Sequence, residues 1–381
     1  MLPIATCSGA TNLTYNPPAR FLKQEPHMPR EIVTRDGTSF RFREYHLDAL
    51  GPNEVRVRVQ FAAPKHGTEL QLITGSSFER KEWHPELRMF LPRPTPAEPQ
   101  APAERPERNI GNMIVGVVSE VGSAVTRFRP GERVFGYGPI REVHQAPEDK
   151  LRPLGDLSEV DAVCVDPAHV AFVAVRDGNI RIGDSVAVFG LGAIGLMVVQ
   201  IARAGGARKV FAVDPLPMRR AFAERHGADR ALDPNTCDVA LEIKRATGNK
   251  GVDVSIETSG AGRALHEAIR CLRQCGTVVH VPWGPKDCRD LNLSEEFHHN
   301  RPTLVGSQAW SGWENPDRSY PLWDHERAYQ TTIELFCAGL ITGAGVVTPI
   351  VSFEDAPEAL VAIRERPETT IKFGVRFGGH D

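Results

Sequence analysis

Cysteine is scarce in this chain: seven in 381 residues, an odd number with scattered positions. That excludes a disulfide scaffold and points to a reducing, cytoplasmic compartment. No run of 18 apolar residues occurs. The most apolar segment, AVFGLGAIGLMVVQIA, is bounded by Asp184 and Arg203, so no membrane span is expected. The amino terminus has no basic stretch leading into an apolar run, so no secretory leader is expected. Neither sign of charge dominates: 45 Lys and Arg stand against 48 Asp and Glu, a net charge of −3. This argues against a nucleic-acid partner and against an acidic disordered tail. What is present is ordinary globular composition, 41% hydrophobic and 24% charged. At about 150 residues per domain, the length suggests two domains.

Pattern changes along the chain support that division. EIVTRDGTSFRFREYHL and EVRVRVQFAA alternate apolar and polar residues, as half-buried strands do. Residues 91–108 hold six prolines in eighteen positions, which excludes helix and central strand there and predicts an extended loop. MIVGVVSEVGSAVTRFRPGERVFGYG, with its turn at RPGE, reads as antiparallel sheet. From residue 185 the character differs. SVAVFG is a continuous apolar run, as in a buried parallel strand. The helical segment LMVVQIARAGG follows it. Then come KVFAVD, the helix PMRRAFAERHG, VDVSIETSG, a helix over ALHEAIRCLRQCG, TVVHVPWG and TLVGSQAW. Strand alternating with helix predicts a doubly wound parallel sheet of βαβ units. A long helix, ERAYQTTIELFCAGLI, and short strands close the chain. The spacing places Cys271 and Cys275 one helical turn apart, as packing residues.

Gly190-Leu191-Gly192-Ala193-Ile194-Gly195 is a G-x-G-x-x-G turn between an expected strand and an expected helix. In that context the first glycine permits the tight turn. The second admits a pyrophosphate to the backbone, and the third lets helix and sheet approach. Asp214 ends the next strand, 24 residues after Gly190. A carboxylate there accepts both ribose hydroxyls and repels a 2′-phosphate, so NAD is expected over NADP. The alternative for Asp214 is a helix cap before Pro215.

With PKHGTEL, GVVSEVGSAVTRFRPGERV, RIGDSVAVFGLGAIGLMVVQIA and KFGVRF, the chain resembles the medium-chain dehydrogenase/reductase superfamily over roughly residues 30–381. Within it the resemblance is to the polyol, sugar and threonine dehydrogenases. The resemblance implies an α/β protein with a GroES-like, β-rich catalytic domain (29–164 and 315–381, after an extension over 1–28). That domain is split around a Rossmann doubly wound parallel sheet (165–314). It implies hydride transfer between NAD(P) and an alcohol or carbonyl of a small molecule, in a homodimer or homotetramer. The expected cofactor positions are Gly190, Gly192, Ala193, Ile194, Gly195, Asp214, Ser259, Val281 and Ser307.

The zinc-dependent members carry G-I-C-G-T-D, G-H-E and a later Cys or Glu. At these positions this chain has Pro64-Lys65-His66-Gly67-Thr68-Glu69, Gly111-Asn112-Met113 and Asp166. Asparagine and methionine are poor zinc ligands, and no C-x-x-C cluster replaces the structural lobe. Two mechanisms stay open. In one, zinc held by His66 and Asp166, with His169 as a further ligand, polarises the alcohol while Thr68 relays the proton and Glu69 supports the ligands. In the other there is no metal. His66, oriented by Asp166 or Glu69, takes the hydroxyl proton, and Lys65 stabilises the oxyanion. The bland readings are a helix N-cap for Asp166, a packed helix histidine for His169 and a solvated lysine for Lys65.

Four of the five tryptophans fall between Trp283 and Trp323, with Trp310 and Trp313 between them and Phe297, His298 and His299 nearby. Their faces suit a sugar, cyclitol or glycoside; the alternative is core or interface packing. The leading expectation is an NAD-dependent sugar or polyol dehydrogenase. The rivals are a zinc-free enone or quinone reductase and a redox-silent NAD-binding protein.

Overall fold

A computed structural model describes residues 28–65, 81–93, 106–283, 288–309 and 323–378. His66, Thr68, Glu69, Trp310, Trp313, most of the Pro-rich loop and nearly all of the expected N-terminal extension lie outside them.

The first half of the chain is strand-rich. Its strands are β1 (Arg30–Thr34), β2 (Arg41–Glu44), β3 (Glu54–Ala63), β4 (Lys81–His84), β5 (Met89–Pro92), β6 (Arg108–Asn109), β7 (Met113–Val121), β8 (Arg133–Tyr137), β9 (Val143–Pro147) and β10 (Leu151–Pro153). In β3 the valines of EVRVRV point inward and the arginines outward. The alternation ends at Phe61-Ala62-Ala63, all buried. That change marks where the strand dives beneath neighbours on both faces.

Two short helices lead to the second half: α1 (Glu159–Ala162), capped by the Ser158 side chain on Asp161 N, and α2 (Val165–Asp177). Then follow β11 (Ser185–Phe189), α3 (Ala193–Ala204), β12 (Lys209–Val213), α4 (Pro217–Arg225), β13 (Arg230–Leu232), α5 (Val239–Ala246), β14 (Val252–Glu257), α6 (Gly262–Arg270), β15 (Leu272–His280), α7 (Glu296–Asn300) and β16 (Thr303–Gly306). The chain ends with α8 (His325–Cys337), β17 (Val347–Ser352), α9 (Ala356–Glu365) and β18 (Lys372–Arg376).

The sheet order β13-β12-β11-β14-β15-β16, parallel throughout, is the doubly wound Rossmann arrangement with its switch point between β11 and β14. The other large sheet runs β10-β8-β7-β3-β18-β17, with β9 also on β3, so strands that follow the Rossmann half complete a sheet begun before it. The fold is α/β: a GroES-like strand-rich part beside a Rossmann sheet. Among the described residues no helix is long and apolar enough to cross a membrane.

Two elements escape the periodicity of the sequence. β13 is only three residues long, and α5 shows its start in the Asp238 side chain, which accepts from Leu241 N. The helix expected over ALHEAIRCLRQCG stops at Arg270. Cys271 caps it and is buried, whereas Cys275 lies in β15 at φ +57° and is exposed. The two cysteines therefore do not share a helix face: the chain turns at Cys271 and enters β15 at Leu272, with its register shifted ahead of TVVHV.

Helix α2 joins the two halves. It packs along α3 and α8, and one buried cluster runs from Phe61, Met113 and Phe135 through Ala168 and Ala171 to Val186, Val188 and Leu196. Phe61 is sealed between the sheets, and its ring leaves no room for a side chain at Gly374 on β18. Phe61→Ala is expected to cost about 3–5 kcal/mol, measured as a lower urea midpoint. Removing the exposed Ile182 side chain should leave the midpoint within about 0.5 kcal/mol of its wild-type equivalent.

Candidate active site

The glycine turn sits where the carboxyl end of β11 meets α3. Gly190 has φ +83°, and a Cβ on it would come within 2.8 Å of Ser259. A Cβ on Gly195 would lie 1.8 Å from Gly190 O, so the helix can reach the strand only with glycine there. Above Gly192 there is open space. Gly192 is the residue before the first turn of α3, Ala193 and Ile194 begin that turn, and no acidic side chain occupies it. The end of α3 can therefore take an anion.

Asp214 is buried at the end of β12. Its Oδ2 accepts from Leu191 N in the turn (2.7 Å), and its Oδ1 accepts from Leu216 N (2.8 Å). It thus ties the turn to the next strand as well as capping the loop into α4. A cavity of about 280 Å³ opens there, lined by Phe189, Gly190, Asp214, Asn235, Ser259 and Ala264 among others. Arg219 Nη1 approaches Asp214 Oδ2 at 3.8 Å, and Arg220 donates to the Asp214 carbonyl at 2.7 Å. Val281 N donates to Glu257 O (3.0 Å) and Ser307 N to His280 O (2.9 Å), which places both at the carboxyl ends of the later parallel strands. The glycine contacts, the open N-terminus of α3 and the cavity fit a dinucleotide.

The second group of residues gathers on α2. Asp166 lies inside its first turn, not at the cap, which is Cys164. The carboxylate is buried. Lys65 Nζ stands 3.0 Å from its Oδ2 and 3.1 Å from its Oδ1, and the Tyr137 hydroxyl donates to Oδ1 at 3.3 Å. Lys65 is thus held by a carboxylate rather than solvated. The preceding carbonyl, Pro64 O, accepts from the buried Lys372 ammonium on β18 at 2.9 Å. Burial and the Asp166 charge push the Tyr137 phenol well above its ordinary range, so it stays a donor. The Cys164 thiol, fully buried, is pushed up to about 12 and is inert at neutral pH.

His169, one turn further along α2, packs edge-on against His325 (4.8 Å) and against Tyr329 (5.4 Å), both on α8. Burial and the neighbouring His325 lower its pKa to about 4. Tyr329, itself buried, lies tilted against Tyr137 with the ring centres 6.4 Å apart. Tyr137, Tyr329, His325 and Lys372 carry no sequence signal beyond their type. A lysine inside the apolar closing strand KFGVRF is the one available hint.

Of the expected zinc ligands only Asp166 and His169 are among the described residues. Among the described residues neither Asp166 nor His169 shares a cluster of three ligand-type side chains, and the one such cluster joins His266 to Glu295 and Glu296, where Arg270 already holds Glu296. The Asp166 carboxylate faces an ammonium, which would repel a divalent cation. Asn112, at the histidine-ligand position, has a buried Nδ2 with no partner among the described residues. That atom is a donor, not a ligand.

Trp323 does not offer a free face to a sugar. The Arg176 and Arg327 guanidiniums each lie 4.0 Å from its ring centre. Phe297 packs on the outer core of the Rossmann sheet, and Trp283 is exposed beyond β15.

Residues 193–322 match the family model described as zinc-binding dehydrogenase. D-guloside 3-dehydrogenase of Escherichia coli (strain K12) is 41% identical over 340 residues, which is 88% of this chain and 96% of that protein. The solved structure of an Escherichia coli oxidoreductase of unknown specificity, involved in membrane biogenesis, superposes with TM-score 0.74 at 19% identity, covering 92% of this chain and 100% of that one. For 2R,3R-butanediol dehydrogenase from Bacillus subtilis the values are 0.70 and 23%, covering 91% and 99%. At these identities the two structures bear on the fold alone. The chain belongs to the medium-chain, zinc-type dehydrogenase superfamily.

His169 and His144 have a consequence for stability. His144, on β9, is also buried, and burial with Arg141 lowers its pKa to about 4. Both are below the unfolded value of about 6.5, so between those limits the unfolded chain binds more protons. Their contribution is complete above about pH 6.5 and is lost as pH falls towards 4. The melting temperature is expected to drop over that range, and to drop less in His144→Gln.

Proposed function

We propose that this protein oxidises a secondary ring hydroxyl of a sugar or glycoside with NAD, without a catalytic metal. The Lys65–Asp166 pair carries the reading, because it holds an ammonium against the acidic residue that stands at an expected zinc-ligand position and next in sequence to His66 at another. The 41% identity to a D-guloside 3-dehydrogenase supports the substrate class, and Asp214 at the end of β12 supports NAD over NADP. When bound, the dinucleotide would supply a nicotinamide ring as acceptor for the substrate's hydride. Gly190, Gly192, Ala193, Ile194 and Gly195 seat the pyrophosphate, Asp214 takes the ribose hydroxyls on the adenosine side, and Ser259, Val281 and Ser307 line the further half.

Asp166, braced by Tyr137, fixes Lys65 so that the ammonium stabilises the developing alkoxide. His66 accepts the hydroxyl proton, and Thr68 and Glu69 pass it outward. His169 packs behind Asp166 and holds no metal. Residues 29–164 with 315–381 form the catalytic domain and 165–314 the cofactor domain. The working form is a homodimer or homotetramer in the reducing cytoplasm, where the cysteines stay free.

Turnover of a glycoside with NAD should survive exhaustive chelation, with well under one zinc per chain by elemental mass spectrometry. Lys65→Ala should lower kcat/KM by about 100-fold or more, on the scale of losing one charge-stabilising donor. Stoichiometric zinc together with loss of activity on chelation would overturn the metal-free mechanism.

Asp214→Ala should weaken NADH binding several-fold more than NADPH binding, read by fluorescence titration. Equal losses would remove Asp214 from ribose recognition.

A further inference from the structure

One buried charge has no part in the proposed mechanism. Glu257, the last residue of β14, is fully buried. Its Oε1 accepts from Ser259 N (2.6 Å), Ser259 Oγ (2.5 Å) and Gly260 N (2.8 Å). Its Oε2 has one neighbour of opposite character among the described residues, His280 Nδ1 at 3.0 Å, from the end of β15. The two residues are register partners on adjacent parallel strands. The arrangement has two parts. One oxygen pins the loop that backs onto Gly190, and the other lies at ion-pair distance from an imidazole without a hydrogen bond to it.

A carboxylate facing Nδ1 places the ring proton on that nitrogen and leaves Nε2 as the outer edge. Nδ1 is sealed from solvent, yet 27% of the His280 side chain stays exposed. The open edge therefore lies at the carboxyl ends of the parallel strands, where a doubly wound sheet binds its ligand. Position along the crevice decides which part of the ligand. Asp214 and its cavity mark the adenosine side, next to β12. The pyrophosphate crosses the glycine turn, so the remaining half lies over β14, β15 and β16. His280 stands in the middle of these three, paired in register with Glu257 on one side and Gly306 on the other.

We infer that His280, oriented by Glu257, binds a hydroxyl of the nicotinamide-side ribose through Nε2. Glu257 is a positioning residue: it touches the loop and the imidazole, not the ligand. The inference rests on the dinucleotide reading of the glycine turn. Its signal in the sequence is faint, because a histidine in TVVHVPWG looks like a polar interruption in a strand.

Calorimetric titration with ADP and with ADP-ribose isolates the contact, since only ADP-ribose carries the second ribose and neither undergoes reaction. His280→Ala should weaken ADP-ribose about fivefold or more, as for one lost hydrogen bond, and leave ADP unchanged. His280→Gln, which returns a polar group near Nε2, should recover part of the loss. Glu257→Gln should weaken ADP-ribose in the same direction, by releasing the ring. Equal weakening of ADP and ADP-ribose in His280→Ala would mean a structural role and overturn the inference, as would undiminished ADP-ribose affinity. Failure of the wild-type protein to bind either ligand would instead bring down the dinucleotide reading, and this inference with it.

Discussion

Asp166 is a carboxylate on the first turn of a helix that both sheets bury. Taking that charge from water costs several kcal/mol unless a cation and further donors replace the lost hydration. Two separate parts of the chain supply the replacement, and a third braces one of them. β3 runs out at Ala63 and delivers Lys65, β8 ends in Tyr137, and β18 sends Lys372 to hold the Pro64 carbonyl. The two contacts to Asp166 depend on where α2 lies, which its packing against α3 and α8 sets. The site is in this sense a by-product of how the two halves are joined, and its precision depends on the core around Ala168 and Ala171 rather than on local loop chemistry.

A similar arrangement recurs along the parallel sheet. Two buried carboxylates at its carboxyl edge each hold a loop. Asp214 ties β12 to the glycine turn, and Glu257 ties β14 to the segment that closes over that turn. Burying a carboxylate to accept backbone amides converts desolvation into orientation, because each such bond is shorter and stronger than a neutral one. A ligand entering this crevice meets amides and ring nitrogens already aimed.

Much of the Rossmann half is legible in the amino-acid pattern alone. The apolar run SVAVF, the glycine spacing and the acidic end of the following strand specify a βαβ unit because each residue meets a separate steric or electrostatic demand, and the demands agree. The catalytic side is less legible. The motif around Lys65 exposes residue types but not pairing: nothing in PKHGTEL says that the lysine turns to a carboxylate 101 positions away. The helix expected through Cys271 fails for a related reason, since Arg270 and Leu272 suit helix and strand equally and only the pairing of β15 with β14 decides. Of the clustered tryptophans, Trp283 and Trp323 are among the described residues, and Trp323 departs from the expectation of an open face. Their clustering in sequence suggests one open wall, whereas Trp323 is already covered by guanidiniums.

The route of the chain through its first sheet has a bearing on synthesis. β3 is bordered on one side by β18, whose first residue, Lys372, follows Pro64 by 308 positions. Until they emerge, the nascent chain carries an unpaired strand edge and an unanchored Pro64. The Rossmann half between them has only local βαβ connections and can close earlier. Long-range pairing is slow because loop closure must precede its reward, and an open edge invites association in the interval. The strand-rich half is therefore completed only after the whole Rossmann half has been made, and the residues that finish it are also those that set Lys65 in place.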